Sequence, residues 1–160
     1  ADQFCAADEV LLSALRTLQI KYPKATQHIQ LGLDAPDASQ FLVRCDPAIL
    51  QTAFFNLLDN AVKYGNDQAV SVRLFPQGQS VCLEIVDQGV GIAPDEMEHL
   101  FEPFYRSSRQ HHLPGSGIGL SLVKSIAEKY GGSIRVKSEP GQGTTASLVL
   151  PSVIAEQRKI

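Results

Sequence analysis

Between Asp46 and Gly65 the apolar positions Leu50, Ala53, Phe54, Leu57, Leu58 and Ala61 recur at the three- and four-residue spacing of a helix. Asp46 supplies an N-cap and Pro47 stands at the first helical position, where its missing N–H costs nothing. Gly65 is expected to end the helix in the left-handed conformation. Val10, Leu11, Ala14, Leu15 and Leu18 predict an earlier helix over 8–21, closed before Pro23. Leu122, Val123, Ile126, Ala127 and Tyr130 predict a later one ending at Gly131-Gly132.

Period-two alternation marks the strands. Val70, Val72 and Leu74 alternate with Ser71 and Arg73, and Val81, Leu83 and Ile85 alternate with Cys82 and Glu84, with Gln77-Gly78 as the turn between them. HIQLGL at 28–33 and FLVRC at 41–45 are expected as a hairpin or as neighbouring strands. A short helical stretch starts near Pro94, a polar, proline-bracketed loop covers 103–116, and SIRVKS and TTASLVLP form a last strand pair. The class is α+β: a two-layer sandwich whose mixed, mostly antiparallel sheet is covered on one face by helices. The pattern predicts one domain over 1–160, with a core of about 24–151, an N-terminal helix or linker over 1–23 and a tail over 152–160.

Composition narrows the function classes. Hydrophobic residues make up 44% and charged residues 19%, enough apolar surface for a core and too little charge for disorder. The net charge of −3 provides no field for a nucleic-acid backbone. Apolar runs stay far below the ~18 residues of a membrane span. Cys5, Cys45 and Cys82 form no CxxC pair and read as reduced thiols of a cytosolic chain.

Three segments carry candidate chemistry. Asn56, Asn60, Lys63 and Tyr64 stand at i, i+4, i+7 and i+8, on a second face of the central helix. Asparagine is a weak helix former, an amide oxygen suits Mg²⁺, and a lysine one turn on can meet a phosphate. On this helix alone a solvated polar face accounts for them equally well. Asp87-Gln88-Gly89-Val90-Gly91 follows a strand. A carboxylate there can accept from an exocyclic amine such as that of adenine, and the glycines let backbone approach a ring. Taken alone, an ordinary Asp-Gly turn is the simpler reading. Pro114-Gly115-Ser116-Gly117-Ile118-Gly119-Leu120 opens a helix, exposing consecutive backbone N–H groups to a phosphate chain. No GxxxxGK[ST] occurs, which excludes a P-loop by pattern. Before it, Phe101, Phe104 and Tyr105 precede Arg106 and Arg109, aromatics that could anchor a loop while an arginine reaches a terminal phosphate.

In order and spacing, NLLDNAVKY, VDQGVGI, LFEPFYR and GSGIGLSLV resemble the N box, first glycine box, F box and second glycine box of sensor histidine kinases. The resemblance covers about residues 46–150 and implies the Bergerat ATP-binding fold. Carried over by position, it implies that Asn60 coordinates Mg²⁺ with Asn56 in support. Lys63 would contact phosphates, Tyr64 pack on adenine, and Asp87 read the adenine amine beside Gly89 and Gly91. Arg106 would approach the terminal phosphate, and Gly115, Gly117, Gly119 and Leu120 would cradle the phosphates. Asn56, Lys63 and Arg106 would form the catalytic set.

Hydrolysing relatives carry glutamate at the position of Asn56, and an asparagine cannot take a proton from water, so slow hydrolysis is expected. None of His28, His99, His111 or His112 matches a phosphoacceptor box. The resemblance therefore implies transfer of the ATP γ-phosphate to a histidine on an upstream dimerisation domain, a cognate response regulator beyond it, and a monomer for this part alone. It also implies the cytosolic part of a membrane-anchored sensor, with no membrane contact by this domain. A non-enzymatic ATP-binding module and an anti-sigma-type serine kinase are the alternative readings.

Overall fold

A computed structural model of the chain describes residues 3–105 and 119–153. Strand β1 (Phe4–Ala6) leads into helix α1 (Ala7–Lys21), and β2 (Ile29–Leu33) and β3 (Leu42–Arg44) precede the central helix α2 (Pro47–Tyr64). The hairpin of β4 (Val70–Gln77) and β5 (Ser80–Asp87) follows, then the short helix α3 (Pro94–Met97), α4 (Gly119–Lys129), β6 (Ser133–Ser138) and β7 (Thr144–Pro151).

The main sheet has the order β2-β4-β5-β7-β6, with β2 and β4 parallel and every other pair antiparallel. The predicted mixed, mostly antiparallel sheet and its helical layer are what forms. One pairing differs from expectation. β2 does not neighbour β3: it lies parallel to β4 across the α2 crossover, while β3 pairs antiparallel with β1 in a separate two-stranded sheet. Antiparallel neighbours can be joined by a short turn, but a parallel pair needs a long connection, and α2 is that connection.

α2 begins as its sequence dictates, with the Asp46 carboxylate accepting from the Ala48 N–H at 2.8 Å and Pro47 in the first turn. Its end departs from expectation. Gly65 keeps a right-handed conformation, at φ −80°, and the next two residues, Asn66 and Asp67, take the positive φ. Glycine is still required at 65, because a Cβ there would lie 2.4 Å from the Ala61 carbonyl oxygen. Helix α4 closes as predicted: Gly131 has φ +76°, and the Gly132 N–H reaches back to the Ala127 carbonyl at 2.8 Å. The β4–β5 turn centres on Gly78 and Gln79, one residue later than predicted, with Gly78 at φ +58°.

The core lies between the sheet and α1, α2 and α4. Leu11, Ala14 and Leu18 of α1, the apolar stripe of α2, and Val123, Ile126 and Ala127 of α4 belong to one core, with α2 packed against both α1 and α4. Val72, Leu74, Leu83, Ile85, Leu148 and Leu150 form the floor. Leu122, expected on the buried face of α4, is 39% exposed. Cys82 points to the opposite, open face of the sheet as its alternation requires, yet it is buried, because its register partners Phe75 and Val149 flank it. Beyond β7, Ser152 and Val153 are buried and Ser152 bridges to Val43, so the chain is held to 153. Among the described residues no helix is long and apolar enough to cross a membrane.

Candidate functional site

A cavity opens between the C-terminal half of α2, the ends of β5, β6 and β7, and the start of α4. α2 contributes Leu57, Asn60, Ala61 and Tyr64, spaced by three and four residues, so one helix face supplies one wall. Ile85, Ile92, Leu100, Val136 and Ala146 make the remainder largely apolar, with Leu120 on the α4 side. Asp87 is the acid of the cavity. An apolar slot with one buried acceptor suits a flat heterocycle that presents an amine.

Asp87 is 7% exposed, and its Oδ1 accepts the Gly89 N–H at 2.9 Å. Burial pushes the carboxyl above the ordinary aspartate range, while backbone hydrogen bonds from Gly89 and Thr144 pull the other way without cancelling it. These two donors satisfy part of the carboxylate. An anion so little hydrated gains from any further donor brought to it.

The glycines beside Asp87 serve a purpose that the sequence pattern did not show. A Cβ on Gly89 would lie 1.9 Å from the Tyr64 carbonyl oxygen, and one on Gly91, at φ +74°, would lie 2.0 Å from the Glu139 carbonyl oxygen. A Cβ on Gly143 would lie 2.1 Å from the Asp87 carbonyl oxygen. They are absent side chains at places where the end of α2, the loop after β5 and the β6–β7 loop interlock. The same junction is tied by the Gly141 N–H on the Val90 carbonyl at 2.8 Å and by Ser138, whose Oγ accepts the Ile92 N–H at 2.8 Å and donates to the Gly143 carbonyl at 2.9 Å. Ser138 and Gly143 were not anticipated, nor was Thr144 on the cavity wall. The glycines of the Glu139–Thr144 stretch, EPGQGT, are the sequence signal for this close approach.

The structure separates the polar residues of α2. Asn60 and Tyr64 line the cavity. Asn56, one turn earlier, donates its Nδ2 to the Thr52 carbonyl at 2.8 Å, and its Oδ1 lies 3.0 Å from where a Gly119 Cβ would stand. The start of α4 therefore lies close against the Asn56 amide. Lys63 is not on the cavity wall: its Nζ lies 3.2 Å from Asp59 Oδ2, and its side chain is 13% exposed. Asp59 is the other unanticipated residue, a buried acid that also accepts from Lys21 Nζ at 2.9 Å and Tyr22 Oη at 2.8 Å. Burial alone would raise its carboxyl, but the hydrogen bonds from Lys21 and Tyr22 and the charge of Lys63 outweigh it and hold the carboxyl below its usual range. Of the other expected site residues, Gly91 and Leu120 line the cavity, while Arg106, Gly115 and Gly117 lie outside the described residues.

Residues 45–154 match the family model described as histidine kinase-, DNA gyrase B-, and HSP90-like ATPase. The chain is 40% identical over 129 residues to the sensor-like histidine kinase SenX3 of Mycobacterium tuberculosis, covering 79% of this chain and 31% of that protein. It is 30% identical over 156 residues to the sensor protein KdpD of Escherichia coli, covering 97% of this chain and 17% of that one. The chain thus spans a third or less of these curated relatives. Among solved structures, a mycobacterial sensor histidine kinase, MprB, superposes with a TM-score of 0.78 at 32% identity, over 94% of this chain and 97% of that one.

Proposed function

The chain belongs to the histidine kinase-, DNA gyrase B- and HSP90-like ATPase family, and on that premise we propose that it binds Mg-ATP in this cavity and passes the γ-phosphate to a histidine on a separate domain. The observation that carries the reading is that Asn60, Tyr64, Asp87, Gly91 and Leu120, drawn from three distant sequence segments, line one cavity.

Each residue has a task that follows from its surroundings. The buried Asp87 carboxylate accepts from the adenine amine, and its Gly89 and Thr144 bonds hold it in place for that contact. Tyr64, Ile85, Ile92, Val136 and Ala146 enclose the base and exclude water from that bond. The phosphates run past Asn60 toward the N-terminus of α4, where the backbone N–H groups of a first helical turn and the helix dipole favour negative charge. Arg106, Gly115 and Gly117 would complete that cradle.

The donors present fit a Mg²⁺ ion shared with phosphate. Asn60 offers a neutral amide oxygen at the cavity, Asn56 presents Oδ1 to the start of α4, and Mg²⁺ ordinarily takes a few protein oxygens beside water and substrate phosphates. Among the described residues no group of three or more His, Cys, Asp or Glu is placed to hold an ion without them. When bound, the ion would neutralise charge on the transferring phosphate.

Asn56 stands where an activating carboxylate would be needed for hydrolysis. Its amide cannot accept a proton from water, so the bound γ-phosphate persists until another nucleophile arrives. The nucleophile, and the base that frees it, come from the partner domain. The test supplies γ-labelled ATP, Mg²⁺ and a histidine-bearing helical-hairpin domain in trans. Acid-labile, base-stable label on the hairpin supports transfer to histidine. Label on serine, or stable label on this chain alone, contradicts it.

A further inference from the structure

Lys63 is tied to Asp59 on the side of α2 that faces α1, and the other oxygen of Asp59 is held by Lys21, the last residue of α1, and by Tyr22, which caps that helix. Lys21 Nζ lies 2.9 Å and Tyr22 Oη 2.8 Å from Oδ1, whereas Lys63 Nζ lies 3.2 Å from Oδ2. Lys21 is steadied further by the rings of Tyr22 and Phe55, at 5.2 and 5.7 Å. Lys63 Nζ itself lies 5.9 Å from the ring of Tyr64, which lines the cavity, so one residue neighbours both the buried acid and a wall of the nucleotide site.

Two lysines share one buried carboxylate. With Lys21 and Tyr22 on Oδ1, the charge of Asp59 stays compensated when Lys63 turns away. Without them, Lys63 becomes its principal counterion, and leaving would strand a buried anion. Resting on the nucleotide reading above, we propose that Asp59 is a positioning residue for phosphate binding, and that Lys21 and Tyr22 at the C-terminal end of α1 determine how freely Lys63 is released to the phosphates. The placement of α1 is thereby read out at the nucleotide site. By linkage, a bound nucleotide that draws Lys63 away tightens the hold of α1 on Asp59.

Calorimetric titration with Mg-ADP and with adenosine tests this on the wild type, Lys21→Met, Lys21→Arg and Tyr22→Phe, each also in a Lys63→Met background. Lys21→Met and Tyr22→Phe are expected to weaken Mg-ADP about threefold to tenfold, the range for a charged hydrogen bond at a half-exposed site, with adenosine unchanged. Lys21→Arg restores the affinity, and in the Lys63→Met background the effects vanish. Asp59→Asn, which removes the charge that ties Lys63, moves Mg-ADP affinity the other way. Equal losses for ADP and adenosine, losses that persist without Lys63, or unchanged Mg-ADP affinity would overturn the proposal. A wild type that binds no Mg-ADP would overturn the nucleotide reading itself, and this proposal with it.

Discussion

Alanine at Gly89 separates two explanations for the glycines of the DQGVG segment. The added Cβ would sit 1.9 Å from the Tyr64 carbonyl oxygen and 3.0 Å from Asp87 Oδ1. Comfortable non-bonded spacing is ~3.5 Å, so the end of α2 and the loop after β5 must part by about 1.5 Å. Overpacking of this kind costs about 1–3 kcal/mol. The movement also strains the Gly89 N–H bond to the buried Asp87 carboxylate, worth about another 1 kcal/mol. Reduced freedom of the unfolded chain returns no more than about 1 kcal/mol. The net loss of about 1–4 kcal/mol corresponds, for a chain of this size, to a fall of roughly 2–15 °C in Tm. Thermal melts followed by circular dichroism without nucleotide make the measurement. An unchanged melt accompanied by a loss of nucleotide affinity would refute the reasoning, because it would mean that the position is kept bare for the ligand and not for the Tyr64 carbonyl.

Other expectations follow from burial, capping and charge. Phe54→Ala empties a site that is 2% exposed at the meeting of α1, α2 and the sheet, and should cost about 3–5 kcal/mol in urea unfolding. Asp46→Ala removes the bond to the Ala48 N–H and should cost about 1 kcal/mol by the same assay, with no change in nucleotide affinity. Because burial raises the Asp87 carboxyl above its unfolded value, its proton is held more tightly in the folded chain, and ionised Asp87 opposes folding. Without nucleotide, the wild type should therefore lose stability relative to Asp87→Asn as pH rises from the unfolded aspartate value of about 3.9 through the raised value, and the gap should be constant above it. Melts of both proteins across that range check the sign.

The helices and the strand pairs joined by turns were legible because their signals are local: the Asp46-Pro47 start, the α2 stripe and the alternation of β4 and β5 each sit within a few residues. The position of β2 was not, since its partner β4 lies beyond α2 and no turn chemistry announces a parallel pair. Of the cavity, the glycine positions could be read while their neighbours could not. A glycine signals close approach, and only the fold shows that Tyr64 and Glu139 carbonyls are what approach. Asp59 was invisible for a related reason. On α2 it is one more charged residue, and its partners Lys21 and Tyr22 come from the end of a helix whose placement the periodicity does not give.

The central claim is that Asp87 and the apolar slot around it read an adenine nucleotide. Calorimetric titration of a non-hydrolysable ATP analogue with Mg²⁺, into the wild type and into Asp87→Asn, tests it most directly. One-to-one binding is expected for the wild type and none for Asp87→Asn, whose folded state, checked by its melt, is at least as stable. Equal binding by both would contradict the role of Asp87, and no binding by the wild type would contradict the assignment of the cavity to a nucleotide.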